Sequence, residues 1–424
     1  MKTTAVRLYG KNDLRLETFD LPEIKDDEIL AKIVSDSLCM SSYKAAIQGP
    51  DHKRIPDDVA ENPIMLGHEF CGELIEVGSK WQDKFKAGDK FVIQPALNHP
   101  SNPHAAPGYT FPYIGGNATY IVIPSVVMEQ DCLLTYSGDA WYYGSLTEPM
   151  STIIGGFNVN YHSELGSYEH IMGIKEGGNL ALLASVGPMG LGAIELAIHG
   201  PRKPKLLVVT DIDQARLDRA ASINTVEEAK KQGIELHYIN TSKVEDVVSH
   251  LRGLTKDDYG FDDVYVFAPV KQLVDEADRM LAYDGCLNFF AGPTNTKFKA
   301  EMNFYNVHYM NTHLAANSGG TAEDMRISAN LMSRGVIDPT AMLTHVGGLD
   351  AVIDTTLNLP NIKGGKKLIY THIKMPLTAI EDMAELGKTD PLMKELATIV
   401  EKSNGLWSKE AEDYLLANAE PIEA

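Results

Sequence analysis

Asn179-Leu180-Ala181-Leu182-Leu183-Ala184-Ser185-Val186-Gly187-Pro188-Met189-Gly190 decides the fold: an unbroken apolar run, a tight turn and a helix start. Such a run suits a strand buried on both faces of a parallel sheet. Gly187 lets the backbone approach a pyrophosphate, and Pro188 and Met189 open the helix. Gly190 lets that helix pack against the strand, and its N-terminus stabilises negative charge. The G-x-G-x-x-G spacing is met with Ser185 in the first position. Asp211 follows Gly190 by about 20 residues, at the end of the next strand, where a carboxylate accepts hydrogen bonds from an adenosine ribose and repels a 2′-phosphate. NAD(H) is therefore favoured. Arg216 could stack on adenine or temper that preference, which leaves NADP(H) open. Standing alone, a glycine turn is more often just a turn; strand, helix and acid in register point to a dinucleotide.

Outward from this segment, residues 205–211, 235–240, 262–268 and 285–291 are short apolar runs, most followed by a helical stretch. This rhythm predicts an α/β doubly wound nucleotide-binding domain. Upstream, residues 4–17 alternate around Gly10-Lys11-Asn12-Asp13 as a hairpin, and strand-like runs follow at 28–34, 71–77, 90–93 and 119–123. They predict an all-β, barrel-like first domain. A helix is expected over 148–161. The expected division is residues 1–158, completed by 318–372, for the barrel; 159–317 for the nucleotide domain; and 373–424 for a helical extension. In that extension Met383, Leu386, Leu392, Leu396, Ile399 and Val400 have roughly helical spacing, so two amphipathic helices are expected.

A chain of 424 residues with net charge −20 is a poor match for nucleic acid, whose binding needs clustered Lys and Arg. Cys39, Cys71, Cys132 and Cys286 lie far apart with no CxxC, so a reduced setting without disulfides is expected. The amino terminus lacks the apolar core of a secretory signal and no run is long enough for a membrane helix. The expectation is a cytoplasmic protein that neither binds nor spans a membrane.

Cys39, Gly67-His68-Glu69 and Glu148-Pro149 bring together residue types that matter jointly. A lone thiol is usually a core residue, and a His beside a Glu usually a structural pair. A thiolate, an imidazole and carboxylates can nevertheless close around one Zn²⁺ and leave a position open for substrate. Cys39-x-Ser41, Gly67-His68-Glu69-Phe70-x-Gly72, Val77-Gly78, Lys86-x-Gly88-Asp89 and Gly115-Gly116-x-Ala118-x-Tyr120 resemble the zinc-dependent medium-chain alcohol and polyol dehydrogenases, in their sorbitol dehydrogenase-like branch. The resemblance implies a GroES-like catalytic barrel joined to a Rossmann domain. It implies that Cys39 and His68 bind zinc, with Glu69 or Glu148 completing the set and neither ranked above the other. It also implies that Ser41 contacts the reacting oxygen and starts proton exchange. Lys44 stands where relatives often carry a relay histidine. Residues 94–113 contain no cysteine, so the structural zinc lobe of many relatives is not expected and one zinc per chain is.

The Cys39-Met40-Ser41-Ser42-Tyr43-Lys44 run, the cysteine-free lobe and the carboxy-terminal extension resemble sugar-phosphate reductases within that family. This implies reduction of L-sorbose 1-phosphate to D-glucitol 6-phosphate, the alternatives being an unphosphorylated polyol, a zinc-free quinone reductase and a non-catalytic cofactor binder. The family also implies a homo-oligomer, dimer or tetramer. The long stretch between Cys39 and His68 reads either as a solvated loop or as the source of Lys53 or Arg54 for a substrate phosphate.

Overall fold

The computed structural model describes residues 1–422. Alternation of apolar and polar side chains sets the opening hairpin, strands Lys2–Gly10 and Asp13–Asp20, with Asn12 turning the chain at φ 57°. A short strand, Ile64–Met65, pairs on the other side of Lys2–Gly10.

The main sheet of this part runs in the order Thr378–Ala379, Leu343–Gly348, Lys366–Tyr370, Ile29–Leu38, Phe70–Val77, Lys90–Ile93, Leu133–Thr135. Tyr120–Ile123 pairs with the first half of Ile29–Leu38, whose second half pairs with Lys366–Tyr370. Ile29–Leu38 is thus the hub of the sheet and is buried along almost its whole length. Ile29, Ile33, Phe70, Leu74, Phe91 and Ile121 fill one core, and Val6, Leu8, Leu38, Ala45 and Leu66 a second.

The second compact unit is built on a parallel sheet ordered Glu235–Asn240, Leu206–Asp211, Asn179–Leu183, Phe261–Val266, Leu281–Phe289, His313–Ala315. The chain winds one way from Asn179–Leu183 and then crosses to its other side. The glycine turn therefore leaves the sheet at the point where strand order reverses, where such sheets bind ligands. Leu180–Leu183 and Leu207–Val209 are almost wholly buried, as expected of strands covered on both faces.

The compact units are Met1–Pro149 with Thr321–Arg334 and everything from Leu343, and Met150–Gly320 with Gly335–Met342. The sequence reading placed the break at 158/159, assigned 335–342 to the barrel and set 373–424 apart. At the first of these boundaries a single helix, Trp141–Val159, runs across the break with Pro149 in its interior, whereas the expected helix spanned 148–161. In the extension, helices Pro391–Lys402 and Lys409–Asn418 form, and Thr378–Ala379 and Glu420–Pro421 join strands of the first unit. Leu386, expected on an apolar face, is 44% exposed.

Candidate functional site

Cys39 ends the extended run of Ile29–Leu38 and is the N-cap of helix Met40–Gln48, at φ −118° and ψ 148°. A helix N-terminus favours the thiolate. In the protein alone burial pushes the thiol pKa up, with Lys366 opposing. The first turn of the helix places two consecutive hydroxyls on one imidazole. Ser41 Oγ donates to Cys39 Sγ (3.0 Å) and lies 3.1 Å from His68 Nε2, while Ser42 Oγ lies 3.2 Å from His68 Nδ1. Lys44 follows Ser41 one turn along the same helix.

His68 and Glu69 are presented by a turn whose geometry excludes side chains. Gly67 has φ 95°, and a Cβ there would meet Asn117 N at 2.7 Å and Asp36 Oδ2 at 2.8 Å; one on Gly116 would meet Asp36 Oδ1 at 2.3 Å. Buried Asp36 accepts from Glu69 N (3.1 Å) and Asn117 Nδ2 (2.6 Å). Burial pushes its pKa up to about 7.

One ligand atom each from Cys39, His68 and Glu69 lie within 4.8 Å of one another. Soft sulfur, imidazole nitrogen and carboxylate oxygen are the donor types that zinc accepts. Glu148, 8% exposed on the Trp141–Val159 helix, stands outside that triplet. Its pKa is lifted to about 7 by burial, reinforced by Glu69, with His68, Cys39 and Lys366 also felt. The structure thus draws Glu148 into the electrostatic neighbourhood of the triplet.

Two ionisable groups in contact with this cluster's side chains went unread in the sequence. Lys366, almost wholly buried, donates to both oxygens of Glu69 at 2.5 and 2.6 Å, and Ser37 Oγ donates to the same carboxylate. Burial disfavours the Lys366 ammonium, but Glu69, followed by Cys39, outweighs it and holds the pKa above the usual lysine value. The available signal was Lys366-Lys367 at the head of the buried strand Lys366–Tyr370, since a lysine inside an apolar strand needs a partner. Tyr109 is the other: its hydroxyl is 3.2 Å from His68 Nε2 and burial raises its pKa well above normal.

The helix bearing Glu148 begins on a carboxylate from the extension. Trp141 N and Tyr142 N donate to the two oxygens of Glu412 at 2.8 Å each, Tyr370 OH donates to Oε1 at 2.9 Å, and Trp407 Nε1 donates to Tyr370 OH. Glu412 is wholly buried and its pKa is pushed up to about 7. Nothing local in the sequence marks it out from the exposed acids beside it.

In the second unit, helix Pro188–His199 starts at Gly187 with no side-chain cap. A Cβ on Gly190 would lie 1.9 Å from the Ser185 carbonyl oxygen, so only glycine fits, whereas one on Gly187 would meet nothing within 4 Å. Pro188 and Met189 form the first helical positions between them. Ser185, in the position of the first glycine, is buried, its hydroxyl donating to Leu182 O at 2.9 Å. Asp211 closes its strand and accepts from Ile212 N (2.8 Å) and Asp213 N (3.1 Å). Arg216 lies in the first turn of the next helix, its N–H capped by Asp213 and its guanidinium 3.7 Å from the same carboxylate.

All four cysteines are free, and among the described residues no helix is long and apolar enough to cross a membrane. The family model described as the alcohol dehydrogenase GroES-like domain matches residues 25–130, and that described as zinc-binding dehydrogenase matches residues 188–334. Mannitol-1-phosphate 5-dehydrogenase of Aliivibrio fischeri is 52% identical over 98% of this chain and 97% of its own length. L-sorbose 1-phosphate reductase of Klebsiella pneumoniae is 52% identical over 99% of this chain and 98% of its own. A zinc-binding dehydrogenase of Sinorhizobium meliloti, solved with NADP, superposes with a TM-score of 0.69 over 87% of this chain and 99% of its own, at 20% identity, which is a likeness of fold.

Proposed function

The chain belongs to the zinc-binding alcohol and polyol dehydrogenases, and we propose that within that family it interconverts a ketose phosphate and a polyol phosphate using a nicotinamide coenzyme. L-sorbose 1-phosphate and D-glucitol 6-phosphate are the preferred pair. The meeting of Cys39, His68 and Glu69 atoms within 4.8 Å carries the reading; the sugar-phosphate names of two relatives at 52% identity support the substrate class.

Cys39, His68 and a carboxylate of Glu69 or Glu148 would hold one zinc ion. When bound, zinc polarises a carbonyl as a Lewis acid and lowers the pKa of an alcohol. The chain supplies the rest. With its proton on Nδ1 donated to Ser42 Oγ, His68 keeps the Nε2 lone pair free for a ligand role. Ser41 Oγ, beside both Cys39 Sγ and His68 Nε2, is placed to give or take the proton of the reacting oxygen. Lys366 donates to both oxygens of Glu69 and so fixes the orientation of that buried carboxylate. At the Gly187–Gly190 turn the uncapped helix start would receive a pyrophosphate and Asp211 a ribose, which favours NAD(H). Absence of cysteine from 94–113 supports a single zinc per chain.

A panel of L-sorbose 1-phosphate, D-mannitol 1-phosphate, L-sorbose and D-glucitol, with NAD(H) and NADP(H), tests this when scored by kcat/KM. The expected result is turnover of the phosphorylated sugars that disappears with a chelator while the circular dichroism of the fold remains. Undiminished turnover in a sample shown to be metal-free would overturn it.

A further inference from the structure

We infer that Lys44, Lys53 and Arg54 form the subsite that receives the substrate's phosphate, a phosphomonoester dianion, with Arg54 as its main contact. The inference rests on the sugar-phosphate reading above. Tyr109 is the ruler between this subsite and the reacting group: its hydroxyl is 3.2 Å from His68 Nε2, and its ring carries the Arg54 guanidinium 5.2 Å from the centroid. One buried side chain thus separates the guanidinium from the metal-ligating histidine. In L-sorbose 1-phosphate the phosphate is carried on C1, next to the C2 carbonyl, so the two groups must bind close together, as they would on either side of this one ring.

Arg54 is held by its backbone on both sides, its N–H donating to His52 Nδ1 (3.3 Å) and its carbonyl accepting from Thr110 Oγ1 (2.9 Å). The guanidinium lies against an aromatic face, and its N–H donors lie at the edge of its own plane, where a planar fork takes phosphate oxygens in pairs. The neighbouring acid, Asp51, is turned to Lys11. Neither Lys53 nor Arg54 is ion-paired among the described residues. His52, stacked on Tyr109 at 5.9 Å, is kept neutral near pH 7, since burial and then Arg54, Lys53 and Lys44 push its pKa down to about 4. Three cations therefore converge on one small region of a chain whose net charge is −20. Such a local inversion of sign attracts a small dianion and repels little of it.

Arg54→Gln, which keeps a flat polar head over the ring, and Lys53→Ala combined with Arg54→Ala are to be assayed in the zinc-loaded enzyme with L-sorbose 1-phosphate and with L-sorbose. The ratio of kcat/KM for the phosphorylated over the free ketose is expected to fall about 10²-fold, mainly through KM, as befits loss of charge-assisted hydrogen bonds. Inhibition by inorganic phosphate, competitive with the sugar phosphate in the parent enzyme, should weaken in parallel, and Arg54→Lys should recover part of both. Variants that keep the parental ratio and phosphate inhibition, or that lose affinity for the coenzyme instead, overturn the subsite. A parent enzyme with no preference for phosphorylated ketose overturns both the subsite and the reading on which it rests; a preference that survives in the variants overturns the subsite alone.

Discussion

Around Cys39, charge is managed by buried side chains drawn from distant parts of the sequence; at Ser185–Gly190 it is managed by backbone alone. The first region has a lysine, a thiol, a histidine and carboxylates with little water to screen them. The second has glycines and an uncapped helix start. On the proposed reading one holds a cation and the other an anion, and the means differ accordingly. Side-chain devices tolerate no missing partner, because each remaining group is left buried with its charge. The backbone device tolerates no added atom at Gly190.

The sharpest way to separate the two is Lys366→Met. Removing the ammonium leaves Glu69 buried without its partner, and the metal-free protein should lose about 3–5 kcal/mol of stability in urea titrations. Addition of zinc should restore part of that loss by supplying another cation. A variant as stable as the parent would show that the carboxylate is not held by charge.

The turn is probed by Gly190→Val. Its Cβ would lie 1.9 Å from the Ser185 carbonyl oxygen, so backbone must move, at about 1–3 kcal/mol or more. Coenzyme affinity, read by fluorescence titration of NADH, should fall while zinc content per chain stays at the parental value. Loss of zinc together with coenzyme would dissolve the contrast between the regions.

The smallest effect belongs to Glu412, a side chain that does at one helix start what a ligand would do at the other. Its pKa of about 7 in the fold lies above the ordinary 4.5. Below about pH 4.5 both folded and unfolded forms are protonated. Between there and pH 7 the unfolded chain releases the proton first, so this group's contribution to stability declines as pH rises, and beyond pH 7 the loss is constant. The difference in Tm between the parent and Glu412→Gln should therefore shift in favour of the glutamine form across that window. Parallel pH curves would show that Glu412 titrates as it does in the unfolded chain.

What could be read in advance follows the same division. The turn, its strand and Asp211 are contiguous or evenly spaced, so periodicity and glycine chemistry sufficed. The strands of the first unit were visible for the same reason. The candidate cluster was visible only in part. Cys39, His68, Glu69 and Glu148 were nominated through a family resemblance; Lys366 showed only as a lysine heading an apolar strand, and Tyr109, Ser37 and Asp36 act by proximity that no local pattern encodes. Leu386 misled because helical spacing does not say which face is covered.

The cap on the Trp141–Val159 helix also bears on how the protein is made. Glu412 follows Trp141 by 271 residues, and at about 5–20 residues per second a ribosome needs roughly 15–50 s to cover that distance. Throughout that interval the amides of Trp141 and Tyr142 await their acceptor, while Ser35, already made, can hold the same helix through Trp141 O and Ser145 Oγ. Translation must run past residue 412 before that helix start is capped, so late stalling or proteolytic clipping of the tail would leave the helix bearing Glu148 without its cap.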